Sequence, residues 1–178
     1  RIVLIAGPSS SGKTTFAKRL SVQLLAFGIV PFPLELDNYF VDRDKTPLGE
    51  NGKPDFESLN TLNRNQLTED LRQLIAGKQV QLPRYDFIAG KSVPGQVVHL
   101  HSNEIIILEG IHGLHPELIP GIPHKKTFRV YVSALTQLNL DYQNRVSTTD
   151  TRLIRRIVRD AYHRGYTAQQ TISRWESV

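Results

Sequence analysis

Gly7-Pro8-Ser9-Ser10-Ser11-Gly12-Lys13-Thr14 lies between an apolar run and an amphipathic one, and the fold follows from how it is read. Its spacing is G-x-x-x-x-G-K-[ST], the phosphate-binding loop. Gly7 and Gly12 let the backbone curl so that successive N–H groups, through Ser9, Ser10 and Ser11, turn inward toward phosphate oxygens. Lys13 adds a point charge, and Thr14 offers its hydroxyl to Mg²⁺. The helix that begins at Thr14 and Thr15 directs its positive dipole end at the same phosphates. A Ser/Gly turn that merely contains a lysine is the plain alternative, and the neighbouring sequence argues against it. Arg1 to Ala6 (RIVLIA) has a buried-strand pattern, and Thr15 to Phe27 carries Phe16, Leu20, Val22, Leu24 and Leu25 at helical spacing.

Further along, Gly28 stops that helix, and Val30 to Leu36 reads as a second strand, interrupted by Pro31 and Pro33, that delivers Asp37 at its carboxyl end. In open α/β sheets ligands gather at this edge. Asp42 to Asn60 is rich in turn formers and reads as a long surface loop. Leu67, Leu71, Leu74 and Ile75 predict a helix closed by Gly77, and Val80–Tyr85 with Gln96–His101 predicts a hairpin turning near Gly90. Glu104 to Gly110 (EIIILEG) has the four-residue apolar core of a strand buried on both faces, ending in Glu109, a candidate magnesium-side acid. Thr127 to Val132 is a further strand.

Late in the chain, Ile154, Ile157, Val158 and Ala161 share one helical face, and Arg152, Arg155, Arg156 and Arg159 share another. The pattern predicts that the first face packs. The second reads either as a solvated basic face or as a lid that neutralises charge on a transferred phosphoryl group. Six histidines give no recognisable metal spacing, so ordinary structural roles are expected for them.

The 178 residues suffice for one domain, with the lid region expected over about 140–178. The chain has no cysteine, which excludes disulfides and thiolate metal sites and makes a reducing cytoplasm the default compartment. No run is apolar and long enough to span a membrane. Methionine is absent even at position 1, where the first strand is already under way, so the sequence reads as an excerpt. A net charge of +5 suggests nucleic acid weakly; binding of nucleotide phosphates explains the basic excess equally well, and nucleic acid is not expected as a partner. Homo-oligomer formation stays open.

Five segments in order, Gly7–Thr14, Leu36-Asp37-Asn38-Tyr39-Phe40, Pro83-Arg84-Tyr85-Asp86-Phe87, Leu108-Glu109-Gly110-Ile111 and Arg152–Gly165, resemble the uridine kinase and phosphoribulokinase family over nearly the whole chain. More narrowly, they resemble the bacterial uridine-kinase-like domains that follow a threonyl-tRNA-synthetase-like region. The resemblance implies an α/β P-loop fold with a mostly parallel sheet flanked by helices, a helical lid and a small β-hairpin region. It implies ATP and Mg²⁺, transfer to the hydroxyl of a small molecule, Asp37 as general base, and Thr14 and Glu109 at the metal. By the same resemblance Tyr39, Tyr85, Phe87 and Arg156 face the acceptor, a nucleoside such as uridine or cytidine, and Arg159 and Arg164 reach the phosphates. The chain departs from the family pattern at three places. Asn51-Gly52-Lys53-Pro54 stands where uridine kinases carry a ribose-binding Asp, for which Asp55 or Glu57 can substitute. Gly90 stands for a base-contacting His, and Tyr166 for a lid Arg. A regulatory ATP-binding module without an acceptor, and a kinase of a non-nucleoside hydroxyl compound, are the alternatives. No Asn-Lys-x-Asp guanine motif is present.

Overall fold

The computed structural model describes residues 1–50, 52–134 and 139–178. Four parallel strands form the main sheet: β1 (Ile2–Ala6), β2 (Val30–Glu35), β5 (Glu104–Glu109) and β6 (Thr127–Tyr131), in the order β2-β5-β1-β6. β2 is an edge strand, which is why it tolerates Pro31 and Pro33, residues with no N–H to give a second neighbour. β1 and β5 lie inside the sheet, and their apolar runs are buried on both faces.

Alternation along β1 divides the core. Ile2 and Leu4 join Leu67, Leu71 and Leu74 of helix α2 (Arg64–Ile75), while Val3 and Ile5 join Ala17, Leu20 and Leu24 of helix α1 (Lys13–Ala26). Helices thus cover both faces of the sheet, and each fully buried Leu or Ile contributes about 1.5–3 kcal/mol. The packed stripe of α1 is narrower than its sequence suggests. Phe16, Val22 and Leu25 are exposed, because only positions 17, 20 and 24 fall on the sheet side. The expected hairpin is present as β3 (Val80–Asp86) and β4 (Lys91–Val98), antiparallel and separate from the main sheet, but its second strand starts at Lys91, directly after the Gly90 turn, and ends at Val98, where Gln96–His101 was expected.

Helix α3 (Thr148–His163) starts at Ser147, whose hydroxyl accepts from the Asp150 N–H, and α4 (Ala168–Ile172) starts with a capping box on Thr167 and Gln170. The orientation of α3 corrects the sequence expectation. Ile154, Val158 and Ala161 face outward, Ile154 at 58% and Val158 at 51% exposure, while Arg152, Arg156 and Arg159 are partly buried and Arg155 stays exposed. The physical reason is a charge network at its inner face. Asp160, 2% exposed, pairs with Arg156, Arg159 and Arg164, and a buried carboxylate without such partners would be far more costly than a few wetted aliphatic groups. Asn51, within one of the departing stretches, lies outside the described residues.

Candidate active site

Strand register places the chemistry on one rim. Glu35 pairs with Glu109, and Glu109 with Ile5, so the phosphate loop, the Glu109 carboxylate and the turn after β2 all leave the sheet at the same carboxyl edge. In the loop, Ser10 (φ 61°) and Gly12 (φ 100°) adopt left-handed backbone. A Cβ on Gly7 would collide with the Val132 carbonyl and the Ser11 hydroxyl. The Ser10 and Ser11 hydroxyls are buried without a protein partner, a cost of about 1–3 kcal/mol each that phosphate oxygens would relieve. Lys13 Nζ donates to the Pro8 carbonyl at 3.3 Å, and Thr14 Oγ1 donates to Glu109 Oε1 at 2.5 Å.

These side chains are partly withdrawn from water. Burial lowers the pKa of Lys13 against the pull of Glu109 and Asp37, and burial raises that of Glu109 against the Thr14 hydrogen bond and Lys13. The adjoining Thr14 hydroxyl and Glu109 carboxylate are hard oxygen donors, a set that suits Mg²⁺, which usually takes one or two protein ligands alongside substrate phosphates. Among the described residues no three His, Cys, Asp or Glu side chains cluster as a metal set.

Asp37 sits on a 3-10 turn (Leu36–Tyr39) immediately beyond β2. Its Oδ2 lies 3.4 Å from Arg164 Nη2, and the Arg164 guanidinium lies 4.5 Å over the Phe87 ring. Burial, with Arg159 adding to it, draws Arg164 below its usual pKa, and Asp37 opposes the shift. Arg156 reaches Glu57 at 3.6 Å, and burial raises the Glu57 carboxyl pKa. Arg152 Nε donates to the Ser9 carbonyl at 2.9 Å, and its guanidinium lies 5.2 Å over the Trp175 ring, so α3 rests directly on the phosphate loop.

A cavity of about 580 Å³ unites these parts, and its lining includes Ser9, Lys13, Thr14, Asp37, Glu109, Arg156, Arg159 and Arg164. Tyr85 and Phe87 form an aromatic wall within it, in edge contact at 5.1 Å, and Phe40 meets Tyr85 at 5.6 Å. Tyr39 does not take the acceptor-side position expected of it. It is 1% exposed, with its hydroxyl donating to Asp70 at 3.0 Å, because the 3-10 turn sends it into the core and leaves Phe40 on the cavity side. Several lining groups escaped the sequence reading, namely Glu35, Arg43, Phe40 and His163, and so did the buried hub Asp160. Of these, only Asp160 carried a signal: an acid inside an arginine-rich helical face.

Comparison with known proteins settles the family. Residues 2–178 match the model of the phosphoribulokinase / uridine kinase family. The chain belongs to that family. Uridine kinase of Lactobacillus johnsonii is 30% identical over 174 residues, 98% of this chain and 74% of that protein. Uridine kinase of Ligilactobacillus salivarius is 28% identical over 177 residues, 99% and 74% respectively. Among solved structures, a possible uridine kinase from Bacillus stearothermophilus aligns with TM-score 0.58 and 28% identity, over 86% of this chain and 80% of that one. D-glycerate 3-kinase from Cryptococcus neoformans aligns with TM-score 0.60 over 99% and 75%, and its 16% identity carries the fold alone. The chain is accordingly an ATP-dependent small-molecule kinase with a P-loop α/β fold. No described helix is long and apolar enough to cross a membrane.

Proposed function

We propose that this kinase phosphorylates a hydroxyl of a nucleoside, in the manner of the uridine kinases it resembles, with Asp37 as general base. The observation that carries this reading is the convergence of Asp37, Lys13, the Thr14–Glu109 pair and three lid arginines on one cavity with an aromatic wall. Its volume suits a small-molecule site. Asp37 accepts the proton of the attacking hydroxyl as the new oxygen–phosphorus bond forms and the bond to ADP breaks. Lys13 and the loop N–H groups hold the phosphates, and Arg159 and Arg164 meet charge gathering on the transferred group. Thr14 and Glu109 would hold Mg²⁺, which when bound would supply neutralisation of charge on the phosphate oxygens. Asp160 keeps the arginines splayed toward the cavity through its bridges of 2.8 Å to Arg159, 3.5 Å to Arg156 and 3.8 Å to Arg164.

The test is ADP formation with ATP·Mg²⁺ and uridine, cytidine, adenosine, guanosine or a non-nucleoside polyol. Stimulation by a nucleoside and loss of turnover in Lys13→Ala are expected. Stimulation by the polyol alone would overturn the nucleoside assignment, and full turnover in Lys13→Ala would overturn the site.

A further inference from the structure

Resting on the acceptor-kinase reading above, we infer that Arg43, laid across Gly90, is the specificity-determining residue on the hairpin side of the cavity, where it takes a hydrogen-bond-accepting oxygen or ring nitrogen of the acceptor. Arg43 belongs to a short 3-10 turn (Arg43–Lys45) that docks on the β3–β4 hairpin through its backbone. The Arg43 N–H donates to the Gly90 carbonyl at 2.8 Å, and the Ser92 N–H donates to Asp42 Oδ1 at 3.0 Å. The side chain is fixed as well. Arg43 Nη2 donates to the Phe87 carbonyl at 2.6 Å.

Gly90 makes this seat. Its φ of +69° disfavours any other residue, and a Cβ there would stand 2.7 Å from Arg43 Cζ and 2.8 Å from Nε. Absence of a side chain at position 90 therefore leaves the place filled from another element, by a cation. A guanidinium has five N–H donors and no acceptor, so the donors left over from Phe87 can serve only an acceptor atom. Among the described residues Arg43 forms no ion pair, yet it lines the cavity beside Phe40, Tyr85 and Phe87. An aromatic wall beside a pinned planar donor suits a flat ring edged with carbonyl oxygens or ring nitrogens. Holding the side chain in place beforehand lowers the ordering cost when the acceptor arrives.

Arg43→Gln and Gly90→Ala test this, since one removes the guanidinium and the other displaces it without touching its charge. For the parent chain and each variant, acceptor Kd in the presence of a non-hydrolysable ATP analogue and steady-state turnover with ATP·Mg²⁺ are measured for uridine, cytidine and methyl riboside, which carries no base. Both variants should weaken uridine and cytidine about 10-fold or more, leave methyl riboside and the KM for ATP unchanged, and show no additive loss when combined. Loss of all three ligands by one common factor, or an unchanged uridine Kd in Arg43→Gln, overturns the inference while turnover in the parent upholds the kinase reading. Nucleosides that bind with Arg43-dependent Kd but are never phosphorylated support the inference and overturn the nucleoside-kinase reading instead. Nucleosides that neither bind nor react overturn both. Arg43→Gln leaves every backbone hydrogen bond of the turn in place, so a misfolded Gly90→Ala does not blunt the comparison.

Discussion

Asp37→Asn removes the proposed proton acceptor and keeps the shape, so transfer to the acceptor should fall roughly 10²-fold or more while ATP affinity is retained. Single-turnover rates set beside melting temperature check this; a lower melting temperature with an intact rate would make Asp37 a turn-capping residue. Glu57 offers a test of sign. Burial raises its pKa above the ordinary 4.5, so the folded chain holds that proton more tightly than the unfolded chain does. Its contribution to stability is then full below the unfolded pKa and is lost as pH rises through the folded value. Gln carries no charge at any pH. The melting temperature of Glu57→Gln minus that of the parent should therefore be more positive at pH 8 than at pH 4, and a gap that stays constant or reverses would count against a desolvated Glu57.

Helix α3 makes opposite demands of its two faces. Arg159→Ala should reduce kcat by at least about 10-fold with little change in the KM for ATP, because the cation acts mainly once phosphate charge has shifted in the transition state. Ile154→Ser and Val158→Ser, on the exposed side, should each move stability by no more than about 0.5 kcal/mol in urea unfolding, the range for surface positions. A loss of 2 kcal/mol or more at either position would mean that this face packs, as the spacing alone suggested. Periodicity reports that a helix has two faces. It does not say which faces inward when the charged face has a buried acid to meet, and here Asp160 tipped the balance.

At the scale of the molecule, the turn that carries Asp37 is tied to α2 by the buried Tyr39–Asp70 hydrogen bond. Burial raises the pKa of both groups, so Tyr39 remains a donor and Asp70 depends on it. Tyr39→Phe leaves that carboxylate without its donor, at about 1–3 kcal/mol. Denaturant unfolding should register the loss while the KM for the acceptor stays the same; a raised acceptor KM with unchanged stability would return Tyr39 to the cavity.

The order of strands and helices, the phosphate loop and the two strand-end acids Asp37 and Glu109 were legible in the chain, because each is written in contiguous residues whose spacing has a local physical cause. Gly7 to Thr14 needs only its own backbone and the strand and helix beside it. Other features depended on segments far apart in sequence. Arg164 meets Asp37 across 127 positions, Arg152 meets Ser9 across 143, and Arg43 rests on Gly90 through hydrogen bonds that join a loop to a hairpin. Burial decided the remainder. The same turn that delivers Asp37 hides Tyr39 and exposes Phe40 to the cavity, and the same helix that carries four regularly spaced arginines turns Arg156 and Arg159 onto one buried carboxylate, rests Arg152 on the phosphate loop and leaves Arg155 exposed. Local sequence sets which residues share a face, but the direction that face takes depends on what the rest of the fold puts opposite it.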